Sequence, residues 1–173
     1  AEATNTPTPT STPSNAPVAV NDPTIGSYII DEDNPLSLSA PGVLANDSDD
    51  PWDEPLLEAT LFSSPTNGSA VVNLNGSILY TPDLNYFSAP GNPDTFTYQV
   101  CDPGGLCDQA VVSVFVNSIE DVPIAVDNSY PVDEDTTLTV PAPGVLGNDR
   151  DGDPGDTLTA SRLSFPSHGM LAY

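Results

Sequence analysis

The chain has 173 residues, room for one or two domains, and sets 25 acidic residues against two arginines and no lysine, a formal charge of -23. Such a charge repels nucleic-acid phosphates and anionic lipid heads, and the missing lysine rules out Schiff-base chemistry, a Walker-type phosphate loop and lysine–asparagine isopeptide crosslinks. No apolar run approaches the roughly 18–20 residues of a membrane-spanning helix, and the abundance of Pro, Thr, Ser, Val, Asn and Asp favours short strands and turns over helices.

Residues 1–16 form a leader of low complexity, Thr6-Pro7-Thr8-Pro9-Thr10-Ser11-Thr12-Pro13-Ser14, with no apolar periodicity. The leader is expected to be extended, either as an O-glycosylated stalk or as a plain disordered arm. The opening Ala1-Glu2-Ala3 suits a mature, secreted chain.

From Pro17 onward, β-type runs alternate with turn signals, predicting strands over 27–30, 36–39, 58–63, 69–74, 77–81, 95–100 and 110–116. Alternation puts Phe96, Tyr98 and Val100 on one face, and Val112, Val114 and Val116 likewise. Asn75-Gly76 reads as a two-residue hairpin turn with both residues at positive φ, while Asn67-Gly68 and Pro103-Gly104-Gly105 mark further turns. Seven strands in about 100 residues predict an all-β chain and a β-sandwich of immunoglobulin type for residues 17–119.

The pattern then repeats. Asp31-Glu32-Asp33 recurs as Asp133-Glu134-Asp135, and Ala40-Pro41-Gly42-Val43-Leu44-Ala45-Asn46-Asp47 recurs as Ala142-Pro143-Gly144-Val145-Leu146-Gly147-Asn148-Asp149, both offset by 102. Pro17-Val18-Ala19-Val20 matches Pro123-Ile124-Ala125-Val126. Residues 120–173 therefore read as a second, truncated repeat, with Tyr173 aligning near Val72. Half a sandwich leaves an apolar face open, to be covered either by further chain or by strands from another molecule.

Carboxylates crowd the loop after this element: Asp47, Asp49, Asp50, Asp53 and Glu54 in the first copy, and Asp149, Asp151, Asp153 and Asp156 in the second. Like charges this dense repel unless a cation neutralises them, and hard oxygen donors suit Ca²⁺. Glu32 and Glu134 are expected to reach an ion near a domain end, and Glu120, Asp121 and Asp127 to supply one at the junction. The alternative is a solvated, turn-forming acidic loop. An EF-hand is excluded, because twelve-residue spacing from Asp149 ends on Ala160.

Cys101 and Cys107 flank the tip of the last hairpin, where a cross-strand disulfide is geometrically reasonable; free thiols are the alternative, with a metal site behind both. Trp52 reads as a cap on the core or as a carbohydrate-stacking ring, Tyr86 as a tyrosine-corner residue, and His168 as a turn residue.

The string Pro-x-Ala, Asp-Glu-Asp, Ala-Pro-Gly-Val-Leu-x-Asn-Asp, Asn-Gly-Ser, Tyr80-Thr81-Pro82, Asn85-Tyr86 and Asp94-Thr95-Phe96-Thr97-Tyr98 resembles the bacterial cadherin-like/immunoglobulin-like tandem repeat of surface adhesins and extracellular matrix proteins. The resemblance covers residues 17–173 and implies a non-enzymatic, calcium-dependent spacer at the cell surface. Asp49-Asp50-Pro51-Trp52 departs from the regular Asp-Gly-Asp that the second copy keeps at Asp151-Gly152-Asp153. Three readings follow: an adhesive or structural fibre module stiffened by Ca²⁺; a filament subunit completed by a neighbour's strands; and an accessory domain of a secreted enzyme. The expected partners are neighbouring repeats or identical subunits, with a carbohydrate or cell-surface ligand as a candidate.

Overall fold

The computed structural model describes residues 15–51, 53, 56–153 and 155–172. The expectations for residues 1–14, and for Trp52 and Glu54, fall outside the described residues. The chain divides into two units, Ala1–Ser118 and Ile119–Tyr173.

The first unit is a two-sheet sandwich of seven strands: β1 (Tyr28–Asp31), β2 (Leu36–Leu38), β3 (Glu58–Ser63), β4 (Gly68–Val72), β5 (Ile78–Pro82), β6 (Asp94–Cys101) and β7 (Cys107–Asn117). One sheet has the order β1-β7-β6-β3 and the other β2-β5-β4. All pairs are antiparallel except β1 with β7, which run parallel with Tyr28 opposite Val114. The core lies between the sheets. Phe96, Tyr98 and Val100 from β6 meet Ala110, Val112, Val114 and Val116 from β7, all at most 3 % exposed, as their period-2 spacing requires. From the facing sheet, Ile78 and Tyr80 of β5 close the core, with the Tyr80 ring stacked parallel to Phe96 at 6.1 Å.

Beyond shifts of one or two residues at strand ends, two local details differ from the sequence reading. β7 begins at Cys107 rather than Ala110, because the β6–β7 ladder runs unbroken to a directly opposed Cys101–Cys107 pair. The β4–β5 turn is not a two-residue type I′ turn. Gly76 alone has positive φ; its N–H bonds Asn73 O at 2.8 Å, while Asn73 N–H bonds Ser77 O at 2.9 Å. The loop is thus Leu74-Asn75-Gly76, a turn followed by one left-handed glycine. Gly76 is compulsory here for a second reason. A 3-10 helix, Gly42–Ala45, packs on the turn, and a Cβ at Gly76 would stand 1.9 Å from Pro41 O.

The second unit repeats the front of the first. A 3-10 helix spans Gly144–Asn148 where the first copy has Gly42–Ala45. Asp135 has φ 58° where Asp33 has 59°. The isolated bridge Ile124–Arg150 matches Val18–Ser48. No longer ladder forms among the described residues of this unit. Val145 is 49 % exposed where its equivalent Val43 is fully buried. An open cleft of about 450 Å³ in this unit is lined by Tyr130, Leu138, Val140, Val145, Leu146 and Leu171.

Candidate cation sites in the acidic loops

The first unit holds fifteen carboxylates and no lysine, arginine or histidine among residues 1–118, so side chains offer no cation to any buried anion. Two solutions appear, one using hydrogen bonds and one using convergence.

The first is centred on the Tyr98 hydroxyl. Asp22 and Asp47, 5 % and 6 % exposed, both reach it, at 3.1 Å through Asp22 Oδ2 and at 2.9 Å through Asp47 Oδ1. Val20 O and Val43 O lie 3.2 Å from the same oxygen. One hydroxyl has one hydrogen to donate, so it serves a single acceptor at a time. Burial, with the Asp47 charge adding to it, drives the Asp22 pKa up to about 6, although bonds from Tyr98, Tyr28 and Asn46 oppose the shift. Burial also raises Asp47, against the bonds from Val20 N–H and Tyr98. Tyr98 itself is pushed well above the ordinary tyrosine range by burial and by the two carboxylates, so it stays a donor.

Asp47 also has a structural task that recurs. Its Oδ1 accepts Val20 N–H at 2.8 Å, and Asp149 Oδ1 accepts Val126 N–H at 2.8 Å. The adjacent asparagines act in parallel: Asn46 Nδ2 donates to Val20 O and Asn21 O, and Asn148 Nδ2 to Val126 O and Asp127 O. The Asn-Asp dipeptide of each repeat thus pins the incoming segment to the 3-10 helix.

The second solution is convergence. Asp49, Asp53 and Asp102 present carboxylate oxygens within 4.8 Å of one another. Glu120, Asp153 and Asp156 do the same in the second unit. Oxygens on opposite sides of a Ca²⁺ ion stand roughly 5 Å apart, twice the metal–oxygen distance, so both triads have the span of a calcium site. Asp49 Oδ2 is buried and has no hydrogen-bond partner, while Asp49 Oδ1 takes Asp50 N–H at 2.7 Å. Three converging carboxylates, with no side-chain cation in residues 1–118 to offset them, fit a hard cation.

Of the residues singled out by sequence, Asp49 and Asp53 meet in one triad, and Glu120, Asp153 and Asp156 make up the other. Asp102 completes the first. Asp102 is remote in sequence from the acidic loop, and only its place beside Cys101 at the hairpin tip gave any cue. Asp151 and Asp121 stand next to the second triad: Asp151 Oδ1 accepts Asp153 N–H at 3.1 Å, and Asp121 N–H donates to Asp153 Oδ2 at 2.6 Å. Glu32 is buried at the end of β1, its N–H bonded to Asn117 O. Asp127 and Glu134 are exposed and outside both triads. Cys101 and Cys107 form the expected disulfide, with Cα atoms 4.2 Å apart. Among the described residues the Tyr86 hydroxyl meets Ser88 Oγ, at 3.5 Å, rather than upstream backbone, and the hydroxyl tying distant segments together belongs to Tyr98.

A family profile described as bacterial Ig domain matches residues 14–115 and again 120–173. The chain belongs to the bacterial Ig domain family. Two matches in one chain agree with the 102-residue offset and with the duplicated Asn-Asp pins. Bacterial Ig domains are a non-catalytic module type and are typically extracellular surface modules. No curated protein matches the chain significantly. No helix among the described residues is long and apolar enough to cross a membrane.

Proposed function

We propose that this tandem of bacterial Ig domains is a structural or adhesive module of an extracellular or cell-surface fibre, and that Ca²⁺ stiffens it. The observation that carries the reading is the carboxylate triad found in each repeat of a chain with almost no cationic side chains. In the first repeat, Asp49, Asp53 and Asp102 would hold the ion. In the second, Glu120 would be tied to the acidic loop through Asp153 and Asp156, ordering the segment on which that repeat begins. Bound Ca²⁺ neutralises clustered charge and crosslinks loop to strand; the protein contributes oxygen ligands and does no chemistry on the ion. No apparatus for bond-making is required, since the task is mechanical.

The test is melting and small-angle scattering of the chain in CaCl₂ and in EDTA. Saturation at a hundred times Kd raises stability by roughly 2.7 kcal/mol per site. The expected result is a higher midpoint and a narrower distribution of molecular lengths with Ca²⁺. Identical midpoints and identical scattering in both buffers would refute the calcium reading.

One observation favours a second reading. The second repeat carries an open apolar cleft, and Val145 is 49 % exposed where its equivalent Val43 is buried, leaving a face that β-strands would cover. A neighbouring subunit that supplies two such strands would make the chain a filament subunit. Sedimentation over a hundredfold range of concentration distinguishes the cases, since a persistent monomer removes the filament reading.

A further inference from the structure

We infer that the outer face of the β1-β7-β6-β3 sheet is a docking surface for the same face of a second copy of this chain. The inference is independent of the calcium reading and uses the first repeat alone.

The fifteen carboxylates of residues 1–118 are unevenly placed. Four stand in strands, Asp31, Glu58, Asp94 and Asp108, each at the first, second or last position of its strand. The acid therefore gathers at the ends of the sandwich and leaves the sheet faces neutral. On the larger sheet, the alternation that buries Phe96, Tyr98 and the β7 valines turns their neighbours outward. Strand pairing sets those neighbours in four rows. Thr60, Gln99 and Gln109 form one, and Ser63, Thr97 and Val111 the next. Thr95 with Ser113, then Ile29 with Phe115, make the other two. Phe62, the extra residue of the β3 bulge, is 58 % exposed, and Ile29 is 68 % exposed. No charged side chain stands in these rows. Glu58, opposite Cys101, and Asp31, opposite Asn117, lie beyond them at opposite ends.

In a chain of charge -23, this neutrality selects the partner. A basic protein finds no carboxylate here, and an acidic one finds no arginine or lysine. Two copies of the chain repel where their acidic ends approach, and repel least where neutral faces meet. Threonine, serine and glutamine side chains both donate and accept hydrogen bonds, so a face built from them complements itself, as a two-fold contact requires. Four strands about 4.8 Å apart, carrying four rows about 6.7 Å apart, span roughly 400–500 Å². A stable complex buries about 800 Å² per partner, so one pair of faces makes a weak, reversible contact. The outer face of β2-β5-β4 is uncharged as well, but its strands are only three to five residues long and offer less area.

Amide NMR spectra of the full, isotope-labelled chain over a hundredfold range of protein concentration test this, recorded in EDTA so that metal binding plays no part. Concentration-dependent shifts are expected at Thr97, Gln99, Val111 and Ser113. They should grow as NaCl is raised, because salt screens the repulsion between acidic ends. Gln99→Glu and Thr97→Glu each place an unpaired carboxylate in the contact and should weaken association by at least about tenfold. Ser37→Glu puts the same charge on the outer face of the other sheet and should leave association unchanged. Near-UV circular dichroism checks that each variant is folded, and the nearly isosteric Gln99→Glu keeps the test decisive even if Thr97→Glu unfolds. Shifts that are absent throughout, or that Gln99→Glu leaves unaltered, overturn the inference. Shifts confined to the second repeat also overturn it, in favour of strand donation. Shifts at this face produced by dextran but not by protein concentration would overturn it too, assigning the surface to a neutral glycan.

Discussion

Asp22→Asn is expected to stabilise the first repeat at neutral pH and to do so less as the pH falls. Asp22 titrates near 6 in the folded chain, against 3.8 for an ordinary aspartate. Because the folded value is raised, the folded state binds the proton more tightly than the unfolded state does. The stabilisation linked to protonation is fully present below pH 3.8, is lost as pH rises through about 6, and stays lost above. The shift of about 2 units, at 1.36 kcal/mol each, sets the loss at about 3 kcal/mol. A protonated Asp22 can donate to the Tyr98 oxygen while Tyr98 donates to Asp47, which gives the acid form its advantage. Asparagine mimics the protonated acid at every pH. Relative to wild type, Asp22→Asn should melt higher at pH 8 by roughly 12–24 °C, at about 4–8 °C per kcal/mol for a domain of this size, and near parity at pH 4. Near-UV circular dichroism melts across pH 4–8 provide the assay. Asp83→Asn, at an exposed position, controls for the general relief of repulsion in so acidic a chain. A pH-independent difference between wild type and Asp22→Asn, or one matched by Asp83→Asn, would refute the account of the Tyr98 cluster.

Phe96→Ala should cost about 3–5 kcal/mol, since the ring is 1 % exposed and stacks on Tyr80, and chemical denaturation measures the loss. Gly76→Ala should prevent correct docking of the Gly42–Ala45 helix, because the new Cβ meets backbone at 1.9 Å and the residue sits at φ 79°. Loss of the native near-UV spectrum reads it out, and a stable, native-like Gly76→Ala protein would contradict the packing described. Removing the disulfide, which closes a sequence separation of six, should lower metal-free stability by only about 2 kcal/mol. A urea titration of oxidised protein against the Cys101→Val/Cys107→Val protein checks that figure.

Several features were legible because they are written in local periodicity. Strand identity followed from alternation in 95–100 and 110–116, and the buried residues there are those the alternation selects. The tandem organisation followed from the offset of 102, and its physical counterpart is the twice-built Asn-Asp pin. Other features were not legible. The turn at Asn75-Gly76 was misread because the Gly42–Ala45 helix and the Asn73–Ser77 pairing, not the dipeptide alone, select its form. Tyr86 reads as a tyrosine-corner residue and Tyr98 only as an inward-facing strand residue, and packing alone shows that the Tyr98 hydroxyl faces Val20 and Val43.

By itself, the sequence determined the charge, the repeat and the all-β character, and made a Cys101–Cys107 disulfide the favoured reading, all from composition or from neighbours a few residues apart. It also marked Asp49, Asp53, Glu120 and Asp153 as acidic-loop and junction residues. Only the tertiary structure decided that Asp47 pins backbone and that Asp102 joins Asp49 and Asp53. Carboxylate abundance says nothing about which oxygens converge; that depends on where sandwich closure brings the β6–β7 tip against the acidic loop.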